Sequence, residues 1–538
     1  VPQYTEGLIQ TWTGPTSPLN KGELLKLSSD ELGKYLLSWQ PKKGWAEASP
    51  DGLGRMLSEI VSENPLKYKN LAESLFEQKA RPIYLYDLFW GLELGLKAKG
   101  SIDWTATLAT AKKIVLTEKY EGFPEPLDDH ESGWRSVHQA IVSLIGLGLL
   151  REEYRIPFEY RETVWAVVEK LCSHEEPTPE FEQRYGGKNM DPLTMAINTV
   201  RGEAFHALIR YALWCNDNLH GIDDLEKRTD RMALEVERVL NEHLDPGVDP
   251  SVTVRSVYGQ YLPQISYLNS EWLTANITKI FPAEPDLDDL WKAAIGSYFY
   301  NRVYRDLFAL LVPVLKTGIN KLLPHEGDEE YEKWEEGLAH QIMLGFAHGF
   351  DGGEELAKLF FQKASSLVSG KAIWFVGANI LNKFLKESVD GLGVQIQKLK
   401  NLWSEFTAND NLNPEVLEGF GWWFVNSPFE KLFTIQQLLK TLEKTKGRIE
   451  WSNKVLEELP QYAKEFPELT IQCVKLLLEG EDSFGSLQYK APTYIQVIKL
   501  VQATKSVRAK KVADVLNELA EKGLEKEVEA ASGELPIG

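Results

Sequence analysis

The sequence predicts an all-α protein: an α-solenoid of stacked antiparallel helix pairs of the TPR or HEAT kind. Three observations carry this. Apolar residues recur at helical spacing along most of the chain. Capping residues open these segments and Pro or Gly closes them. No clear run of strict apolar–polar alternation bounded by hairpin turns is present, so little or no sheet is expected.

Taken in order, Ser28 and Glu31 form a capping box before Leu32, Tyr35, Leu36 and Trp39. Ser49-Pro50-Asp51 opens a second helix, with Pro in its first turn, and Asn64-Pro65 closes it. Helices are expected near 67–78, 82–98, 104–117, 133–150 and 157–173. The next opens at Asn189-Met190-Asp191-Pro192 and is read as one helix running to Trp214, with Asn198, Arg201, Glu203 and His206 set in its apolar lattice. Polar groups in such a lattice must find partners or face a groove. They read as a buried polar network, with direct contact to a ligand as the alternative.

Turn-rich Asp245-Pro246-Gly247-Val248-Asp249-Pro250 divides an N-terminal helical array, 1–245, from a middle segment, 246–414. The remainder, 415–538, is more regular, with helices near 428–445, 449–463, 466–480, 491–504 and 507–522. Two helices and two turns there consume about 40 residues, the HEAT or armadillo period. Such arrays share a core between neighbours and expose a long concave surface.

A chain of 538 residues with 43% hydrophobic content can bury a large core, and its length implies several domains or a repeat array. The net charge of -20 disfavours nucleic acid and anionic membranes as partners of the bulk surface. Cys172, Cys215 and Cys473 are sparse and unpaired in spacing, which fits a reducing cytosol better than a disulfide framework or a zinc site. The longest apolar stretch, near 140–150, falls short of the ~20 residues a bilayer needs. Val1-Pro2-Gln3-Tyr4 lacks both signal-peptide character and an initiating Met, so the chain reads as a cytoplasmic piece of something longer.

No catalytic motif survives inspection. Ser369-Gly370-Lys371-Ala372 lacks the upstream Gly and the hydroxyl of a P-loop, and Gly146-Leu147-Gly148 and Gly391-Leu392-Gly393 lack the third Gly of a dinucleotide fingerprint. Asp128-Asp129-His130-Glu131 could bind Mg²⁺, but it reads more simply as acid at a helix start. His340 and His348 are eight residues apart, about 80° from a whole number of turns, which suits core packing better than a shared metal. The acidic run from Gly327 to Glu336 and the basic cluster Lys505, Arg508, Lys510 and Lys511 read as solvated helix segments. Trp422-Trp423, in the densest aromatic knot of the chain, reads as core packing, with a partner hot spot as the alternative. No cofactor and no metal is expected. Asn198, Arg201, His206, Trp422 and Trp423 are the candidate partner-binding residues.

Several segments resemble the C-terminal helical regions of prokaryotic antiviral STAND NTPases, the NLR-like Avs proteins. They are Gly44-Trp45 with Ser49-Pro50-Asp51-Gly52-Leu53, the stretch from Asp191 to Gly202, Tyr258-Gly259-Gln260-Tyr261-Leu262-Pro263, and the array from Trp422 to Leu524. The resemblance implies a sensor that binds a phage protein, the large terminase subunit or the portal, by its fold. In the full-length family member, binding licenses ATP-dependent oligomerisation and activates an effector. This chain carries neither the ATPase nor the effector motif, so the resemblance implies a non-enzymatic sensor region. It transfers no contact residue. An acidic sensor would suit a target with basic grooves. Two other classes stay open: a scaffold solenoid binding cellular proteins, and an α/α-toroid enzyme using Asp128, Asp129 and a distant carboxylate.

Overall fold

The computed structural model describes residues 15–41, 47–127, 131–150, 152–187, 189–219, 231–324, 332–386, 392–481 and 483–532. Helix packs on helix throughout; among the described residues the only β-type pairing is an isolated bridge between Thr16 and Ala48. The chain divides into two compact units, Val1–Asn301 and Arg302–Gly538. Residues 245/246, the boundary read from the turn-rich stretch, and 414/415, where the pattern becomes more regular, each lie inside one unit.

Local chemistry sets the helix starts. Glu31 N–H donates to Ser28 Oγ at 3.2 Å, while Ser28 N–H donates to the Glu31 carboxylate at 2.8 Å, closing the expected box. Ser49 caps Pro50–Glu63 by accepting from Gly52 N–H at 3.1 Å. Glu332 and Glu335 form a further box that opens Lys333–Ala347, so the described end of the acidic run is a helix start. Residues 327–331 of that run lie outside the described residues, as do Asp128, Asp129 and His130.

In the first unit one row runs Pro50–Glu63, Pro82–Lys97, Trp134–Leu150, Val200–Leu219, Val252–Gln260 and Asp288–Tyr298, each helix packing on the next. A second row, Ser29–Ser38, Leu71–Glu77, Trp104–Val115 and Arg161–Cys172, packs in the same order. Trp214 and Trp291 are fully buried in the core of this unit. Bare backbone permits the closest approach in the first row. A Cβ on Gly259 would lie 1.9 Å from the Ala294 carbonyl oxygen, so Val252–Gln260 and Asp288–Tyr298 meet with nothing between them.

The second unit is the more regular array. One row begins at Arg305, Gly353, Gly393, Lys431, Pro467 and Ala509, a repeat of about 40 residues. The other comprises Lys333–Ala347, Ser366–Phe375, Phe420–Val425, Ser452–Glu458 and Phe484–Ala503. Trp403 and Trp423 are its largest fully buried side chains.

Two helices depart from the periodicity. The segment read as one helix from Asp191 to Trp214 is two, Pro192–Ile197 and Val200–Leu219. Asp191 caps the first as expected, accepting from Thr194 N–H at 3.0 Å. The break follows because Asn198 Nδ2 and Thr199 Oγ1 turn back to the carbonyls of Thr194 and Met195, competing with helix propagation. The segment expected at 491–504 instead starts at Phe484, capped by Ser483, and keeps Pro492 inside it. Pro492 and Gln488, whose carbonyl loses its partner, are both exposed, so water can supply the missing hydrogen bond.

Candidate functional site

Two clusters gather the polar and aromatic residues singled out above. The first lies in the Val1–Asn301 unit around the 198–199 break. Arg201 donates to the carbonyls of His174 and Pro177, both at 2.9 Å, and pairs with the buried Asp249 carboxylate at 3.4 Å. Asp249 also meets His243 Nδ1 at 2.7 Å. One guanidinium thus ties the 174–177 loop, the Val200–Leu219 helix and the 245–250 turn together. Asn198 is exposed, and its side chain is turned onto Thr194. His206 is 1% exposed and reaches Tyr261 Oη at 3.2 Å, while its Nε2 finds no described partner. Burial pushes the His206 pKa down to about 3, with the nearby Arg210 charge acting in the same direction.

A binding surface needs accessible groups, and this cluster turns most of its own inward. Replacing Arg201 by Ala should cost about 3 kcal/mol, because Asp249 loses a partner while remaining buried. A denaturant midpoint unchanged by Arg201→Ala would remove this cluster from the set of structural junctions.

The second cluster lies in the Arg302–Gly538 unit. Trp423 is fully buried, and its indole N–H donates to the Ile373 carbonyl at 2.7 Å. Its neighbour Trp422 points the other way and is half-buried. The Trp422 ring stacks on Trp451, with centroids 3.9 Å apart, and meets Trp374 edge-on at 6.2 Å. His340 continues the series, stacking on Phe375 at 4.0 Å and approaching Trp374 at 6.2 Å. All five side chains are half-buried. They come from successive helix pairs and form a ladder of aromatic rings with part of each surface open to solvent. The Lys371 ammonium sits over Trp374, 5.9 Å from the ring centre.

Backbone packing fixes the ladder. A Cβ on Gly421 would lie 2.0 Å from the Glu450 carbonyl oxygen, so the turn before Trp451 presses directly onto the helix of Trp422. Trp451 itself has φ +58°, a left-handed conformation that costs a bulky residue about 1–2 kcal/mol. Stacking of the aromatic pair contributes about 0.5–1.5 kcal/mol in return.

The candidate residues therefore divide. Trp422 joins an accessible array, whereas Trp423, His206 and Arg201 are bound into the interior and Asn198 lies exposed on a cap. Trp374 and Trp451 were missed by sequence reasoning. One ends a helix and the other precedes one, so no common offset marks them in the chain. Both histidines are half-buried against aromatic rings, His340 stacked on Phe375 and His348, just past the end of Lys333–Ala347, edge-on to Phe384. Among the described residues, no group of three His, Cys, Asp or Glu side chains is placed to hold a metal ion. No described helix is long and apolar enough to cross a membrane. The three cysteines are free and buried.

No protein-family model matches the chain, and no curated protein matches it.

Proposed function

We propose that this chain is a protein-recognition module: the ligand-sensing region of an antiviral STAND NTPase, binding a phage protein such as the large terminase subunit or the portal. The observation that best supports the reading is the aromatic ladder of Trp374, Trp422 and Trp451 along a repeated helix-pair array. Partly open tryptophans held by neighbouring repeats offer large rigid contact area at low entropic cost, the property of interface anchors. The array spreads further contacts over successive helix pairs, which favours recognition of a folded surface over a short peptide. In this reading the chain performs no chemistry itself and reports through the domains of a longer protein.

The test is an affinity capture with the tagged chain against lysates of phage-infected and uninfected bacteria, read by mass spectrometry. Enrichment of a terminase or portal only after infection is the expected result. A host protein captured equally from both lysates would replace the sensor with a scaffold solenoid. With the captured protein purified, Trp422→Ala should weaken binding by about 30-fold, the loss of roughly 2 kcal/mol typical of a hot-spot aromatic. Unchanged affinity in that variant would remove the ladder from the interface.

A further inference from the structure

The helix pairs of the Arg302–Gly538 unit are not all joined alike. In the row that begins at Arg305, the first and third junctions are locked. A Cβ on Gly352 would lie 2.7 Å from Val312 Cγ2, so Gly353–Lys363 starts hard against Arg305–Lys321. Between Gly393–Ala408 and Lys431–Thr445, the Trp403 indole donates to Thr441 Oγ1 at 3.1 Å, and Thr407 Oγ1 donates to Gln437 Oε1 at 2.7 Å. All four of these side chains are buried.

The second junction, between Gly353–Lys363 and Gly393–Ala408, is different. The two backbones stand apart, and a cleft of about 290 Å³ opens between them. Phe346, Ala357, Phe361, Leu402 and Phe406 line it. Two described side-chain contacts span the gap. The Phe361 and Phe406 rings meet edge-on with centroids 4.8 Å apart, and the solvent-exposed Lys398 and Glu354 pair at 3.6 Å. An exposed pair contributes little to holding such a gap at one width.

The other edge of the same junction is pinned. A Cβ on Gly377 would lie 2.7 Å from Trp422 Cβ, and one on Gly419 would lie 3.1 Å from the Trp374 backbone nitrogen. Asn413 Nδ2 donates to Ser366 Oγ at 2.9 Å, and Asn426 Nδ2 donates to the Gly377 carbonyl at 3.0 Å. Gly377 belongs to a π-helical turn, Val376–Leu381, that interrupts the helix begun at Ser366. Turns of this kind are common where a helix bends or serves a function.

We propose that this junction is a hinge: the helix pairs on either side rotate about the edge where Gly377 meets Trp422, opening and closing the cleft at the far edge. Close-packed interfaces leave no room for such rotation, whereas a junction pinned at one edge and gapped at the other has one soft direction. Trp374 and Trp422 stand on opposite sides of the pivot, with ring centroids 6.2 Å apart. The rotation therefore changes the angle between their rings and, with it, the surface of the aromatic ladder. That consequence for recognition rests on the function proposed above; the hinge itself does not.

The experiment is double electron–electron resonance on the full chain, with paired nitroxides on introduced cysteines; the three native cysteines are buried. Glu355→Cys with Gln436→Cys spans the gapped junction and the locked one after it. Gln397→Cys with Lys475→Cys also spans two junctions, both closely packed. All four positions are exposed. The first pair should give a distance distribution roughly twice as broad as the second. Phe361→Ala removes the ring that rests on Phe406, and should broaden the first distribution further while leaving the second unchanged. Equal widths for the two pairs would overturn the hinge. Equal broadening of both by Phe361→Ala, or no broadening of the first, would overturn its placement at this junction. If Phe361→Ala does not fold, the two widths in the otherwise wild-type chain decide. No partner enters this test, so a rigid junction and a failed capture of a phage protein are separate outcomes.

Discussion

Trp423→Ala should be the most destabilising single truncation in the Arg302–Gly538 unit, lowering its stability by about 4 kcal/mol. Three losses combine. The indole is fully buried, so its removal leaves a cavity among Trp403, Phe420 and Phe429, whose rings lie 5.9, 4.9 and 6.4 Å away. The Ile373 carbonyl at the end of Ser366–Phe375 loses the indole N–H, its donor at 2.7 Å. The contact linking two successive helix pairs is lost with the ring. Trp422→Ala is the control one residue away. Its ring is half-open, so about 1–2 kcal/mol is expected, with the larger effect falling on partner affinity. Denaturant unfolding of the two variants measures this directly, and equal midpoint shifts would contradict the division between core and surface at this pair.

Opposite responses to alanine are expected at two glycines of one helix pair. Gly259→Ala forces a methyl to within 1.9 Å of the Ala294 carbonyl oxygen and 2.7 Å of its carbon. Both atoms belong to the backbone of Asp288–Tyr298, so neither can rotate away and the helices must separate. Overpacking of this kind costs about 3 kcal/mol. Gly296→Ala sits on the facing helix with nothing within 4 Å of the new methyl. Ala there reduces the entropy of the unfolded chain and raises stability by about 0.5–1 kcal/mol. Thermal unfolding should move the two midpoints in opposite directions. A loss of stability in Gly296→Ala would mean that the helix pair packs differently from the arrangement described.

Much of the secondary structure was legible because its causes are local. The Ser28–Glu31 box, the Ser49 and Asp191 caps and the stop at Asn64-Pro65 rest on bonds between residues a few positions apart, which any reader of the chain can pair. Periodicity likewise told which face of each helix is apolar, and so the all-α class and the approximate repeat of the C-terminal array. The single helix read from Asp191 to Trp214 failed where side chains at Asn198 and Thr199 competed with the backbone, a choice that periodicity does not register. The start expected near Pro492 failed for the complementary reason. A proline on a solvent-facing turn leaves the carbonyl four residues before it, here that of Gln488, to water and need not end a helix.

What the sequence by itself determined is therefore the helical class, the capped starts at Ser28, Ser49 and Asp191, and the spacing of the regular array. Tertiary structure alone decided which of two adjacent tryptophans is core and which is open. It also decided that Trp374 and Trp451 join Trp422 and that Arg201 reaches Asp249. A helix's own sequence gives the direction in which each side chain points, but not what stands opposite it. Burial, stacking and shifted proton affinity depend on that opposing surface, and only the packed chain supplies it.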